Sequence, residues 1–509
     1  MAFDASRSDL TIGVVGTGAM GRGIVQVAAA GGMNVLIQDT RPGAAQEAKD
    51  FVAKMIARAA EKGQLTKEAA DAAVGRIKVV EALSDFKACH MVVEAIVENL
   101  DAKRELFAQL EDIVAPDCIL ATNTSSLSVT TVAAKLKTPQ RFAGFHFFNP
   151  VPLMKLVEVI EGLQTAPWVS EALMTIGKRM TREPVRLVDA PGFLVNQVGR
   201  GYNLEASHLV YEGVATFADV DRVMRDVGGF RMGPFELMDL TGLDVTQPAS
   251  HLIYNQFFQE QRYRPNLIMQ SRYEAGILGR KTKKGFYEYD AEMKATQPPE
   301  APAPSARPDS VWVSRAEERG HRVLTELLSK LGANVESGDQ PSAKALILVT
   351  PVGEDTTTCA TEQGLDPRRT VAVDTLFPMV KRRTIMTTPI IDPNYREAAH
   401  GLLASDGVPV TVCRDSPGFI AQRIVAMIVN IGCSIAQSRT ATPPDIDKAV
   451  TLGLNYPNGP FAFGELLGPA TVHRILSSMN RIYADPRYRP NIWLTRRAKL
   501  GVPLLTAES

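Results

Sequence analysis

Two stretches of the chain carry residue types whose spacing suits chemistry. In "LTIGVVGTGAMGRGIVQVAAAGGMNVLIQDT", residues 10–40, Gly16, Gly18 and Gly21 form a G-x-G-x-x-G turn, and Asp39 closes the next apolar run 18 residues after Gly21. Such a turn leaves a strand, opens a helix and lets bare backbone approach a pyrophosphate. Gly16 permits the tight turn, Gly18 the close approach and Gly21 the helix–strand packing, while the helix N-terminus favours phosphate charge. An acidic residue at this distance bonds ribose hydroxyls and repels a 2′-phosphate, so the spacing predicts NAD rather than NADP. Arg41 is the nearby residue that speaks against that preference. The second stretch, "RFAGFHFFNPVPLMKLVEVIEG" at residues 141–162, sets His146 among phenylalanines, with Lys155 and Glu158 as the next charged groups. A histidine in such surroundings is either a core residue bonded to backbone or a group placed for proton transfer, and the stretch alone leaves both open.

These residues need elements to position them. "HMVVEAI" (90–96), "CILATN" (118–123), "RFAGFHFF" (141–148) and "MKLVEVI" (154–160) read as strands, separated by helical patterns such as "NLDAKRELFAQLEDIV". Alternation of this kind predicts a doubly wound, mostly parallel sheet of the Rossmann-like type, with ligands at the carboxyl ends of the strands. "VENLDAK", "TNTSSL" and "HFFNP" all fall at such ends. "NTSSLS" (123–128) also precedes a helical run, so Ser128 reads as an N-cap, while Ser125 is open between capping and binding.

The second half repeats the first. A shift of 226 lays "DAPGFLVNQV" (189–198) on "DSPGFIAQRI" (415–424) and "GPFELMDLTGLDV" (233–245) on "GPFAFGELLGPAT" (459–471); "RYRPN" recurs at 262–266 and 487–491, one residue out of phase. These matches mark an internal duplication whose two copies read as helical. "TQPPEAPAPSARP" (296–308) separates them as a Pro/Ala-rich linker. The expected organisation is an α/β Rossmann-like domain over 1–184, an all-α domain over 185–295, a linker over 296–310, a degenerate α/β segment over 311–410 and a second all-α copy over 411–509. The degenerate segment has no glycine-rich turn. Aligning "RTVAVDTLFP" with "RFAGFHFFNP" puts Asp374 at the place of His146 and Met386 at that of Glu158, and the 226 shift puts Gln422 at that of Asn196. That copy is expected to have kept packing and lost chemistry, leaving one NAD and one active site per chain. Its long apolar stripe, "FIAQRIVAMIVNIGCSIA", predicts an internal pseudo-dimer of the two helical copies, with further homo-oligomers open.

Composition narrows the function classes. The 509 residues contain 56 Lys plus Arg and 56 Asp plus Glu, so no global field attracts nucleic acid or an anionic membrane. Five cysteines without close pairing argue against a zinc site or a disulfide framework. The N-terminus has no apolar h-region, and no 18-residue uncharged apolar run occurs, which together predict a cytoplasmic protein.

Taken in order, "VVGTGAMGRGIVQVAAAGG", "VVEAIVEN", "TNTSSLS", "RFAGFHFFNPVPLMKLVEVIEG", "DAPGFLVNQV" and "GRKTKKGFY" resemble the 3-hydroxyacyl-CoA dehydrogenase family over residues 10–290. The longer form with a degenerate second copy is similar to bacterial dehydrogenases of phenylacetate breakdown, whose expected substrate is 3-hydroxyadipyl-CoA, with 3-hydroxybutyryl-CoA the other choice. The resemblance implies NAD-dependent oxidation of an (S)-3-hydroxyacyl-CoA to the 3-ketoacyl-CoA. By position it implies His146 as catalytic base, Glu158 as its carboxylate partner, and Ser125 and Asn196 as substrate-binding residues. It implies cofactor contacts at Asp39, Glu98, Lys103, Ser125, Asn149 and Lys281 beside the glycine turn. On that reading Glu158 accepts one ring N–H, fixes the tautomer and stabilises the imidazolium, while the phenylalanines exclude water.

Overall fold

A computed structural model describes residues 3–508, and the chain divides into two compact units, residues 1–197 with 438–454 and residues 198–437 with 455–509. The first unit is built on an eight-stranded sheet. Its strands are β1 Thr11–Val15, β2 Asn34–Gln38, β3 Ile77–Val79, β4 Met91–Glu94, β5 Ile119–Thr122, β6 Phe142–Phe147, β7 Leu156–Glu161 and β8 Glu183–Val188, in the order β3-β2-β1-β4-β5-β6-β7-β8. All pairings are parallel except β6–β7, which is antiparallel. The strands β4 to β7 bury all but one of their side chains, as expected where helices cover both faces. Val14, Val35, Ile37, Val93, Ala121, Phe145 and Val159 belong to one apolar core beneath the flanking helices.

The helix Pro443–Leu454, from the second helical copy, packs on β7 and β8. It is held at its approach by the Val188 N–H, which donates to the Thr440 carbonyl at 2.8 Å. Residues 438–454 of the second copy thus compact with the first sheet, whose edge offers them a strand and an apolar face.

The second unit holds a five-stranded sheet, β9 Val311–Val313, β10 Leu346–Val349, β11 Thr370–Val373, β12 Arg383–Thr387 and β13 Val410–Arg414, in the order β13-β12-β11-β10-β9. Only β11–β12 is antiparallel, so the pairing sequence repeats that of β4 to β8. Nothing in it corresponds to β1–β3, the strands that carry the glycine turn and Asp39. At its edge the Arg414 N–H donates to the Val214 carbonyl at 2.9 Å. Both partners lie 226 residues from, and in swapped roles to, the Val188–Thr440 pair of the first unit. The helix Ala421–Gln437 buries all but two of its side chains. A Cβ on Gly201 would lie 3.2 Å from the Ile428 backbone, so the helix Val195–Tyr211 crosses it at a glycine because a larger residue would hold the two backbones apart.

Candidate active site

At the exit of β1, Gly16 adopts φ +91, a left-handed conformation, and a Cβ there would lie 2.6 Å from the Ala95 carbonyl oxygen. A Cβ on Gly21 would overlap the Gly16 carbonyl at 1.9 Å, so the helix Ala19–Ala30 can pack this close only on glycine. Gly18, by contrast, faces open space, with nothing within 4 Å of an added Cβ. It is the N-cap of that helix and makes no side-chain cap, which leaves the first-turn N–H groups for an anion. The turn is thus tight where the chain packs and bare where a pyrophosphate would sit.

Asp39, just past β2, faces back across the turn. Its Oδ2 accepts from the Thr17 N–H and hydroxyl, both at 2.8 Å, and its Oδ1 from the Arg41 N–H at 2.9 Å. Burial by itself pushes this carboxyl up, but the three donors outweigh it and hold it below the usual carboxylate range. Arg41 turns its guanidinium to Glu47 at 2.5 Å.

Glu98 organises the loop after β5. Its Oε1 accepts from the Thr124 hydroxyl at 2.6 Å, the Ser125 N–H at 3.0 Å, and the Ser126 N–H and hydroxyl at 3.2 and 2.8 Å. Burial raises the Glu98 carboxyl, and Lys103 with these hydroxyls more than reverses it, so it too stays low. Lys103 is 1 % exposed, its ammonium 2.6 Å from Glu94 and 3.1 Å from Glu98. Glu94, fully buried at the end of β4, also accepts from the Thr122 hydroxyl and the Ile96 N–H, each at 2.7 Å. Glu94 was missed in the sequence. Its signal was a carboxylate interrupting the apolar run "HMVVEAI" with a lysine nine residues on. Ser128 caps the helix Val129–Ala133 and donates to Asp189 at 2.7 Å, as its N-cap position predicted. Ser125 is exposed on the same loop.

His146 and Glu158 stand directly opposite each other on the antiparallel pair β6–β7, both buried, with Nδ1 and Oε2 2.7 Å apart. The other carboxylate oxygen of Glu158 accepts from the Leu194 and Val195 N–H groups at 3.0 and 3.1 Å, at the start of the helix Val195–Tyr211. That helix end and its two N–H groups fix the carboxylate with its Oε2 turned to the imidazole. The rings of Phe148 and Phe193 flank the imidazole at 4.5 and 5.7 Å. Asn123, also unforeseen, clamps the end of β6 by accepting from the Phe147 N–H at 2.8 Å. Asn149 is exposed just beyond β6, and Asn196 is half-buried in the first turn of the Val195–Tyr211 helix. Lys281 belongs to the second unit, where it pairs with Asp244 at 2.8 Å.

The corresponding corner of the second sheet is filled. Asp374 stands across from Thr384, whose carbonyl accepts its N–H at 3.0 Å. Thr384 pairs with Thr411 on β13, three residues before Arg414, as Glu158 pairs with Val185, three before Val188. The register thus corrects the sequence alignment: Thr384, not Met386, occupies the place of Glu158, because the connection between the two strands is two residues shorter. Asp374 does take the place of His146. Burial pushes its carboxyl up to about 6, and it accepts from the Gln422 amide at 2.9 Å. Gln422 in turn donates to the Pro351 carbonyl and accepts from the Gly353 N–H. The chain's own side chains close this corner.

Comparison with known proteins adds the following. Residues 11–190 match the family model for the 3-hydroxyacyl-CoA dehydrogenase NAD binding domain, and residues 192–289 and 418–504 each match that for the C-terminal domain. The chain is 37% identical over 490 residues to the 3-hydroxyadipyl-CoA dehydrogenase of Escherichia coli K12, spanning 96% of this chain and 98% of that one. A crystal structure of 3-hydroxybutyryl-CoA dehydrogenase from Escherichia coli K12 matches with a TM-score of 0.85 at 36% identity, covering 97% of this chain and 99% of that chain. A probable 3-hydroxybutyryl-CoA dehydrogenase of Deinococcus radiodurans is 40% identical over 280 residues, 55% of this chain and 100% of the relative.

Proposed function

The chain belongs to the 3-hydroxyacyl-CoA dehydrogenase family and is an NAD-dependent enzyme, and from that premise we propose that His146 is its general base and Glu158 the group that orients and charges it. The observation that carries this reading is the 2.7 Å Nδ1–Oε2 bond, with the far carboxylate oxygen pinned by two backbone N–H groups. A carboxylate so fixed accepts only, so it draws the ring proton to Nδ1 and leaves the Nε2 lone pair to take the proton of a secondary alcohol. Bound NAD supplies the hydride acceptor. As the hydroxyl proton reaches Nε2, the imidazolium forms against a full carboxylate charge inside a water-poor aromatic pocket, where that interaction is stronger than in water. Ser125 and Asn196 hold the substrate oxygen, and the exposed Ser125 hydroxyl is free to turn toward it. Glu98 sets the loop that carries Ser125, and Lys103 sets Glu98.

The Gly16–Gly21 turn would hold the pyrophosphate of the cofactor and Asp39 its adenosine ribose. Asn149 adds a further contact. Asp39→Ala narrows the preference for NAD over NADP, which the ratio of kcat/KM for the two cofactors measures; wild-type enzyme using both equally would sink the assignment. The relatives that align across both halves are named for 3-hydroxyadipyl-CoA and 3-hydroxybutyryl-CoA, and the substrate here is one of these, in fatty-acid or phenylacetate-type catabolism. Comparing kcat/KM on the two thioesters decides between them.

The second α/β segment is a copy of the β4–β8 half of the first sheet that has lost the nucleotide-binding half. It is retained for packing, and the two helical copies pair within one chain. The swapped Val188–Thr440 and Arg414–Val214 bonds support this, since a two-fold relation between the copies would generate them as one contact seen twice. Calorimetric titration therefore gives one NAD per chain; a stoichiometry of two would refute the loss of the second site.

A further inference from the structure

Within the second unit, contacts between the two helical copies fall into two kinds. One kind is reciprocal. Arg264 pairs with Asp485 at 2.7 Å and Arg489 with Glu260 at 3.4 Å, and a shift of 225 turns each pair into the other. The other kind is not. Arg423, fully buried, binds Glu205 through Nε and Glu212 through both terminal nitrogens, the latter at 2.7 and 2.9 Å. Arg487 lies 3.7 Å from Glu205 and 3.5 Å from Glu212, and the hydroxyls of Tyr488 and Tyr483 donate to Glu205 and Glu212 at 2.9 and 3.0 Å. Burial alone raises the Glu205 carboxyl, but the Arg487 and Arg423 guanidiniums override it and hold it at about 2. In the sequence the counterparts of Glu205, Glu212 and Arg423 are Ile431, Ser438 and Gln197, so this cluster has no mirror image.

We propose that the cluster of the buried Glu205, Arg423 and Arg487 with Glu212 at its open rim is a pairing code that ties the first helical copy to the second and shuts out pairing between two first copies of different chains. The inference rests on the internal pairing argued above and goes beyond it, from the fact of pairing to its selectivity. Two first copies brought together by the same symmetry would set Glu205 and Glu212 against Gln197 and Arg262, leaving carboxylates in excess, the buried Glu205 among them, at both ends of the seam. Two second copies would set Arg423 and Arg487 against Ile431 and Ser438, with no carboxylate at all. Leaving a buried charge without its partner is among the most destabilising changes a seam can suffer, so both symmetric pairings are disfavoured, while the mixed one sets the two carboxylates of the cluster against its two guanidiniums. A duplicated chain needs such a device, because its two copies otherwise keep faces similar enough to assemble between chains.

The test uses full-length chains. Arg423→Glu puts three carboxylates against one guanidinium in the cluster, and Glu205→Arg puts three guanidiniums against one carboxylate. Each variant alone should aggregate or melt well below wild type. Co-expressed with a tag on one of them, they should be recovered together as a soluble mixed dimer, because each seam between the two chains is again balanced. The neutral variant Glu205→Ile/Glu212→Ser/Arg423→Gln should fold and turn over substrate, since it copies residues already present in the other half. If both charge variants are damaged and co-expression recovers no more than each alone while the neutral variant folds, the code is refuted and internal pairing stands. If either charge variant keeps wild-type mass and melting temperature, the seam itself is not holding the copies together, and the pairing reading falls with it.

Discussion

Replacing His146 with glutamine lowers kcat by about 10²–10⁴-fold, the usual loss for a general base, and leaves NADH affinity nearly unchanged. On the proposed reading the imidazole meets the alcohol through Nε2, and it has no part in the glycine turn or the Asp39 cluster, so binding and chemistry are expected to separate. Glu158→Gln tests the same dyad from the other side. The Leu194 and Val195 N–H groups still need an acceptor, so they take the amide oxygen and leave the NH2 facing Nδ1. Nδ1 must then accept, the ring proton moves to Nε2, and the base atom is blocked. A tautomer fixed the wrong way costs up to about 10⁴-fold in comparable dyads, so this isosteric change is expected to be nearly as damaging as loss of the imidazole. Steady-state kinetics with fluorescence titration of NADH measure both. Near-full activity in His146→Gln would mean the base lies elsewhere.

Lys103→Met destabilises the protein by about 3–5 kcal/mol, the range for breaking a buried ion pair from one side. Glu94 is fully buried, and without the ammonium its charge rests on the Thr122 hydroxyl and the Ile96 N–H alone. Glu98 loses its cation at the same time and holds the 124–126 loop less firmly, so KM for NAD rises as well. Adding Glu94→Gln restores much of the stability but not the KM, because it neutralises the buried charge without refastening Glu98. Chemical denaturation measures the first effect and initial rates the second. The exposed Arg41–Glu47 pair is the control: its removal leaves stability nearly unchanged. Equal losses at the two sites would show that burial is not what gives Lys103 its weight.

The local features of this protein were legible in its sequence. The glycine turn, the acid after β2, the Ser128 cap and the alternation of strands and helices depend on neighbours a few residues apart, where backbone conformation and helix-end chemistry act. The internal repeat was equally visible, because two copies of one pattern need no coordinates to be compared. Tertiary structure decided what depends on register and burial. Glu158 meets His146 only because β6 and β7 run antiparallel with those residues opposite, and periodicity cannot give the phase of one strand against another. The same limit misplaced the counterpart of Glu158: a connection shortened by two residues moves the position from Met386 to Thr384, which an ungapped alignment does not see. Glu94 drew no notice in the sequence and Lys103 was marked only as a cofactor contact that the resemblance implies; their pairing out of water is the work of packing. The docking of residues 443–454 on β7 and β8, and the one-sided Glu205–Arg423 cluster, join groups hundreds of residues apart. Charge and apolar surface in the chain state only that such groups need partners; which partner each finds is fixed by the fold that brings them together.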